Sequence, residues 1–449
     1  MKQKWTTGLR PMRAVMGALA LAAVLAACSS SSPGTSTASS TRKGGITAKP
    51  GYLVYWDQNE EVDFLSEPSG VQGQLLPAWD LNGQVCVLPD RSGRFVGGYD
   101  PTLPSQHNNG GLKPYKQPAI GEELVEADGS FSGQTLYVPG RYKMRGQNIG
   151  QDSPPSSNGV FNNNSTYTGC AFDHKNLLAT DIGTAQGSFP SPTDGRLVEW
   201  FAPSYKTYCI VYGPDQGGVG QHHVDGTGGL SQPGMLDTMP NGDLLLPDAG
   251  TDEVLRIDYS SLPRSASQCP GGVYPRSKFH FSIFFKGTGV GSALLPFPAG
   301  VATDPTCGCY AISSFFGNPA IAWFNSDGQL EKNRTPVPGT PLSQLGTNPN
   351  VYNPFGMAFA PDGTLYFVDI HIACTAPLVG CGPANYGGRV MRVTFSHGVP
   401  STPTVVHSGF DFPTSVTVCV PAKKVCPYPT GHIVAPLSGP AENPAPDKG

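Results

Sequence analysis

Short apolar runs, each closed by a turn rich in Gly, Asn or Asp, recur along most of this chain. Residues 233–257 are the clearest instance. An apolar run precedes the turn Asn241-Gly242, a second run Leu244-Leu245-Leu246 ends at Asp248, and an alternating run leads from Val254 to Ile257. Asn-Gly offers the two φ > 0 positions of a type I′ hairpin, so the first two runs are predicted to pair as antiparallel strands. The pattern returns over residues 354–393 and more weakly elsewhere. A repeat of this kind outranks any single motif as a guide to the fold.

Marking each unit by the Gly at the head of its first apolar run gives Gly169, Gly234, Gly300 and Gly356, with Ser415 in the equivalent place of a last unit. The spacings are 65, 66, 56 and 59 residues, room for four short strands each. Four-stranded antiparallel units in series build a propeller. The expected fold is all-β: a six-bladed β-propeller with four-stranded antiparallel blades over residues 51–436. Seven blades are the alternative if residues 76–168 hold two compact units instead of one unit and a long insertion. The last unit offers only inner strands, at 412–419 and 425–434, and the runs at 52–56 and 62–65 supply outer ones. Joining the two chain ends in one blade closes the ring and removes two free sheet edges.

Composition narrows the class. Charged residues make up only 14% of the chain, against 57 Gly and 45 Pro, and no stretch has the period of an amphipathic helix. The formal charge is −4 and no Lys/Arg cluster lies beyond the first residues, so nucleic acid is not an expected partner. The N-terminus carries Lys2, Lys4, Arg10 and Arg13 before an apolar run from Ala14 to Ala27, the layout of a secretory signal. Residues 28–50, rich in Ser, Thr, Gly and Pro, read as a flexible tether, and residues 437–449 as a flexible tail.

Eleven cysteines less Cys28 leave ten, and disulfides are the default in an exported chain. Cys374 with Cys381 and Cys419 with Cys426 each enclose a short loop and are the expected pairs. Cys307 and Cys309, with one residue between them, are expected to reach distant partners. The competing reading of those two is a thiolate metal site. The partners of Cys86, Cys170, Cys209 and Cys269 stay open.

Two resemblances follow. Leu25-Ala26-Ala27-Cys28 resembles a bacterial lipobox, which implies cleavage after residue 27, lipidation of Cys28 and an envelope location, held to the membrane by the lipid anchor alone. The run from Pro233 to Asp248, with its Pro-x-Gly start, Asn-Gly turn and terminal Asp, is similar to NHL-repeat propellers and the wider six-bladed group. That group includes gluconolactonase-like, paraoxonase-like and strictosidine-synthase-like proteins and quinone-dependent sugar dehydrogenases. Two units match strongly and three in part, and the motif speaks for fold far more than for chemistry.

In a propeller the loops entering each inner strand share one rim with the loops joining second and third strands. Asp181, Asp248 and Asp369 end second strands and are expected at that rim, and His371 follows Asp369 by two. The repeated Asp reads first as a turn-closing acceptor of backbone N–H groups and second as a ligand. Residues 221–230 form a Gly-rich loop over the rim with His222, His223 and Asp225, the expected catalytic residues. His107, His222, His371 and Asp369 are the expected ligands of a divalent metal, Ca or Zn. Gluconolactonase-like propellers place a metal-binding Asn in a Pro-Asn-Gly at inner-strand starts. Here Pro233-Gly234, Pro298-Ala299-Gly300, Pro354-Phe355-Gly356 and Pro413-Thr414-Ser415 lack it. His107-Asn108-Asn109-Gly110-Gly111 resembles a segment of the quinone-dependent dehydrogenases, and so does the run from Asn353 to Phe359. The expectation is an envelope-anchored monomer that acts on a small organic substrate as a metal-assisted hydrolase or lyase. The alternatives are a non-catalytic propeller that binds a ligand or an envelope component, and a quinone-dependent sugar oxidoreductase.

Overall fold

A computed structural model of the chain describes residues 51–58, 61–76, 84–89, 95–99, 121–125, 131–136, 143–144, 147–148, 167–181, 195–205, 207–213, 230–287, 295–314, 316–339, 352–376, 379–383, 387–410, 413–421, 423 and 426. Cys28, His107, His222, His223, Asp225 and nearly all of the run at 425–434 lie outside the described residues. No described helix is long and apolar enough to cross a membrane.

Among the described residues, five four-stranded sheets and one three-stranded sheet follow one another, each antiparallel throughout. Given from the axis outward, sheet I is Val416–Cys419, Tyr52–Gln58, Glu61–Glu67 and Val71–Leu76. Sheet II is Cys86–Val87, Phe95–Tyr99, Gly121–Val125 and Phe131–Leu136. Sheet III is Tyr167–Asp173, Asn176–Asp181, Arg196–Trp200 and Tyr208–Tyr212. Sheet IV is Asp237–Thr238, Leu244–Asp248, Glu253–Ile257 and Phe281–Lys286. Sheet V is Pro298–Asp304, Cys309–Ser314 and Ile321–Phe324. Sheet VI is Pro354–Phe359, Leu365–Asp369, Gly388–Val393 and Thr404–Phe410. This serial arrangement is a β-propeller.

The chain ends do share one sheet, but in a different proportion from that expected. One C-terminal strand lies inside three N-terminal ones, with Val54 opposite Val418 on one side and Leu65 on the other. The reason lies in Tyr55 and Trp56, which are wholly buried and need cover that an outer position does not give. Among the described residues sheet V has three regular strands. Residues 330–337 run along its outer edge through two isolated bridges, Phe324 with Leu330 and Ile321 with Val337.

Turn chemistry explains where strands begin. Gly242 takes φ +92° but Asn241 does not have positive φ, so the turn is not the expected type I′. Pro240 holds its φ negative, which suits the first central position of a type I turn and excludes I′. Gly242 N–H donates to Met239 O at 2.8 Å and Met239 N–H to Asp243 O at 2.7 Å, a turn with a glycine bulge. Pro361-Asp362-Gly363 repeats it in sheet VI, with Gly363 at φ +85°.

Among the described residues, five apolar layers lie between sheets. Leu177, Val198 and Trp200 of sheet III face Cys86 and Val96 of sheet II. Leu178, Leu197 and Val211 face Leu244, Leu246 and Leu255 of sheet IV. Sheet IV meets V through Leu245, Val254, Tyr310 and Ile312. Sheet V meets VI through Trp323, Met357, Leu365 and Phe367, and VI meets I through Val54, Trp56, Tyr366 and Val368. Burying each such side chain contributes about 1.5–3 kcal/mol, so the layers hold the ring together.

The marker glycines stand at the axis, where neighbouring inner strands touch. An added Cβ would lie 2.4 Å from Gly234 O at Gly169, 1.9 Å from Ala299 O at Gly234, 2.5 Å from Phe355 O at Gly300, and 2.7 Å from Thr414 O at Gly356. Val85 N–H donates to Ser415 Oγ at 3.1 Å, and Gln84 N–H to Thr168 O at 3.1 Å, carrying the contact around through sheet II.

Four disulfides are present among the described residues: Cys86–Cys170, Cys209–Cys269, Cys307–Cys309 and Cys419–Cys426. Cys419–Cys426 is as expected. Cys307–Cys309 is not: these two pair with each other. Gly308, at φ +64°, folds the loop back so that the two Cα atoms stand 5.2 Å apart. Backbone register sets Cys374 opposite Cys381 in a ribbon, Ile372–Ala376 with Val379–Pro383, inserted between the second and third strands of sheet VI.

Candidate functional site

Second strands end, and inner strands begin, at the same rim. In sheet IV the Asp248 carboxylate accepts N–H groups from Ser231 at 2.9 Å, Gln232 at 2.6 Å and Gly250 at 3.2 Å. It fastens the chain entering the inner strand to the end of the second strand. In sheet III, Asp181 faces Arg196 at 3.8 Å with both side chains buried. In sheet V the equivalent residue is Ser314, whose hydroxyl donates to Pro296 O. The three Asp residues are fully buried, not displayed on an open rim. The turn-closing reading of this repeated position describes Asp248 and Asp369 directly.

Asp369 carries more. Its Oδ1 accepts from Asn353 N at 2.8 Å and His371 N at 3.1 Å, and its Oδ2 accepts from Arg389 Nε at 3.0 Å and from Arg389 Nη2. Asn353 is buried and reciprocates, taking Ile372 N–H on Oδ1 at 2.9 Å. His371, held between these bonds, adopts φ +47°, a left-handed conformation uncommon outside glycine. Arg389 Nη2 stands 3.3 Å from His371 Nδ1, and its guanidinium lies 5.7 Å over the Tyr352 ring.

Guanidinium has donors and no acceptor, so Nδ1 of His371 must be the acceptor of this contact. The neutral imidazole then carries its hydrogen on Nε2. Burial lowers the His371 pKa below its ordinary value; the Asp369 carboxylate works against this and the Arg389 charge adds to it. His371 is therefore a neutral N–H donor beside a cation. In this arrangement Nδ1 faces Arg389 and both Asp369 oxygens accept N–H groups. No described residue takes the Nε2 hydrogen of His371. A neutral imidazole N–H and an adjacent guanidinium are suited to a carbonyl, carboxylate or developing oxyanion.

Below this rim the described residues bring an apolar side chain to the axis. Met235, almost wholly buried, extends from sheet IV until its Sδ lies 2.4 Å from where a Cβ of Gly356 in sheet VI would be. The expected convergence of His107, His222 and His223 with His371 involves residues outside those described. Arg389 and Asn353 went unsuspected in the sequence. Arg389 lies at the head of a third strand, where its charge resembles ordinary surface polarity, and only register pairs it with Asp369.

The described His/Cys/Asp/Glu residues include one group within metal-binding reach, Asp304, Cys307 and Cys309, on the opposite face. Its two sulfurs are joined to each other.

No protein-family profile matches the chain, and no curated protein is similar to it in sequence. Solved structures do resemble it. A nidogen/laminin complex aligns at 11% identity and a TM-score of 0.45, covering 82% of this chain and 97% of that one. Regucalcin from Agrobacterium tumefaciens, a calcium-binding protein, aligns at 15% identity and 0.40, covering 70% and 77%. A putative 6-phosphogluconolactonase from Bacteroides uniformis aligns at 11% identity and 0.40, covering 83% and 100%. Likeness at this level concerns fold alone, and the assignment here rests on sheet order. By that order the chain is an all-β propeller with four-stranded antiparallel blades.

Proposed function

We propose that this chain is an exported propeller whose rim binds a small organic substrate through a carbonyl or carboxylate oxygen and acts on it as a hydrolase or lyase. The observation that carries this reading is the Nδ1 contact of His371 with Arg389, which fixes a neutral donor beside a cation at the rim. In the reaction, His371 Nε2–H and Arg389 stabilise the oxygen on which charge develops, while Asp369 and Asn353 hold both in place. The proton-transfer group comes from the 221–230 loop, where His222, His223 and Asp225 have the chemistry. A divalent metal is held by His107 and His222 of the loops.

In the same proposal the ring has six blades, with residues 330–337 completing sheet V, and Cys28 is the lipid attachment site in a bacterial envelope. Mass spectrometry of the mature N-terminus tests that attachment.

A panel of lactones, esters and carboxylated substrates, assayed with the full chain and with His371→Gln and Arg389→Lys, tests the activity. The expected loss in kcat is about 10²–10³-fold for His371→Gln, the range for removing one oxyanion donor. Unchanged turnover in both variants overturns the reading. A ligand that raises Tm without turnover, and loses that effect in both variants, favours the binding propeller instead. Elemental analysis with and without chelator decides the metal.

A further inference from the structure

We propose that the Cys307–Cys309 disulfide, on the face opposite the rim, is a thiol–disulfide exchange site whose substrate is a small-molecule or protein thiol. Three features separate this bond from Cys86–Cys170 and Cys209–Cys269. Cys86–Cys170 and Cys209–Cys269 join residues 84 and 60 positions apart, with all four cysteines buried. Cys307 and Cys309 are 2 positions apart, and the stabilisation a cross-link gives by restricting the unfolded chain falls with loop length. Cys307 is exposed and Cys309 is buried, so only one sulfur is open to attack.

The third feature is that the turn does not depend on the bond. Gly308 N–H donates to Asp304 O at 2.9 Å, and Thr306 donates to Asp304 Oδ1 from N at 2.9 Å and from Oγ1 at 2.6 Å. Asp304 Oδ2 accepts from Trp323 Nε1 at 3.2 Å and pairs with Arg334 at 2.9 Å. Arg334, itself mostly buried, also reaches Thr306 and lies 5.3 Å from the Phe395 ring. The loop is thus anchored to sheet V and to residue 334 in either redox state. Opening the bond leaves two thiols side by side, ready to close again. Arg334 neutralises the Asp304 carboxylate, which lies within 4.8 Å of the sulfurs and would otherwise oppose a thiolate there.

In the first step a thiolate of the partner attacks Cys307 Sγ. The Cys307–Cys309 bond breaks, a mixed disulfide forms on Cys307, and Cys309 leaves as a thiolate. A second thiolate of the partner attacks the partner's sulfur in the mixed disulfide, releasing an oxidised partner and Cys307 as a thiolate. The partner loses two electrons, the cysteine pair gains them, and two protons from solvent complete the dithiol.

The test exposes the folded full chain to graded dithiothreitol and glutathione buffers, followed by acid quench, alkylation and peptide mapping. Cys307 and Cys309 are expected to label together at reductant levels at least tenfold below those that label Cys86, Cys170, Cys209 or Cys269, and to close again with oxidised glutathione. Cys309→Ser is expected to take one glutathione at Cys307. Labelling only together with the buried pairs overturns the proposal, as does recovery of Cys307 bridged to another cysteine or no adduct in the folded variant.

Discussion

Gly234 stands against Ala299 so closely that a Cβ on it would fall 1.9 Å from the Ala299 carbonyl oxygen. Met235 N–H donates to that same oxygen at 3.0 Å, and Gly234 N–H to Pro247 O at 2.8 Å, so neither backbone can retreat. Gly234→Ala is expected to cost about 2–4 kcal/mol, the range for an uncompensated steric insertion. Gly70→Ala is the control: φ is +69° with nothing within 4 Å of an added Cβ, so only the left-handed penalty of about 1–2 kcal/mol applies. Urea unfolding of both variants checks the order, and equal costs would deny the axial contact its role.

Asp248→Ala strands three backbone N–H groups, those of Ser231, Gln232 and Gly250. A loss of about 2–4 kcal/mol is expected from leaving them unmatched. Asp248→Asn keeps an acceptor and is expected to cost less. Hydrogen exchange at residues 231 and 232 is expected to rise in the Ala variant first, because the entry segment loosens before the sheet opens.

Glu199 is fully buried, with Asn176 Nδ2 donating to Oε1 at 2.8 Å and no described partner for Oε2. Burial raises its pKa well above the ordinary 4.5, with Asn176 working against this and Asp173 adding to it. The folded state therefore holds the proton more tightly than the unfolded chain. This contribution is fully present below the ordinary value and is lost as pH rises toward the raised one. Glu199→Gln is expected to raise Tm relative to the parent at pH 8 and to bring little change at pH 4. A variant that destabilises equally at both pH values contradicts this.

His371 has the opposite sign. Its pKa is lowered in the fold by burial, so the unfolded chain binds the proton more readily. Stability from the neutral form is intact above the ordinary 6.5 and is lost as pH falls below it toward the lowered value. His407, also lowered by burial, loses stability in the same direction. His371→Gln is expected to flatten the part of the Tm profile below pH 6.5 that belongs to this residue, leaving the His407 share.

Removal of residues 413–449 takes away the innermost strand of sheet I and bares the edge of Tyr52–Gln58. Aggregation or loss of the cooperative transition is expected, because an unpaired edge templates association. Removal of residues 437–449 alone is expected to leave Tm unchanged.

What could be read from the residues, and what could not, follows from range. Gly169, Gly234, Gly300 and Gly356 were visible as markers because a local pattern repeats, although their reason, backbone contact at the axis, is not local. The type I turn at Pro240 was hidden by giving Asn241-Gly242 precedence over the proline before it. Trp56 gave no sign that its strand would be covered on both edges, since an aromatic residue suits an outer strand equally well. At the candidate site, Asp369 and His371 were found by position. Their pairing with Arg389 was not, because it depends on the register of strands separated by an inserted ribbon.

The central claim is that His371 and Arg389 form the floor of a ligand site completed by the His-bearing loops. A crystal structure of the full chain with the rim loops resolved measures this most directly. The account predicts His222 or His223 facing His371 Nε2 across a gap that one small organic molecule fills, with Nδ1 still against Arg389. Imidazoles scattered away from that gap, or His371 turned so that Nδ1 leaves Arg389, would contradict it.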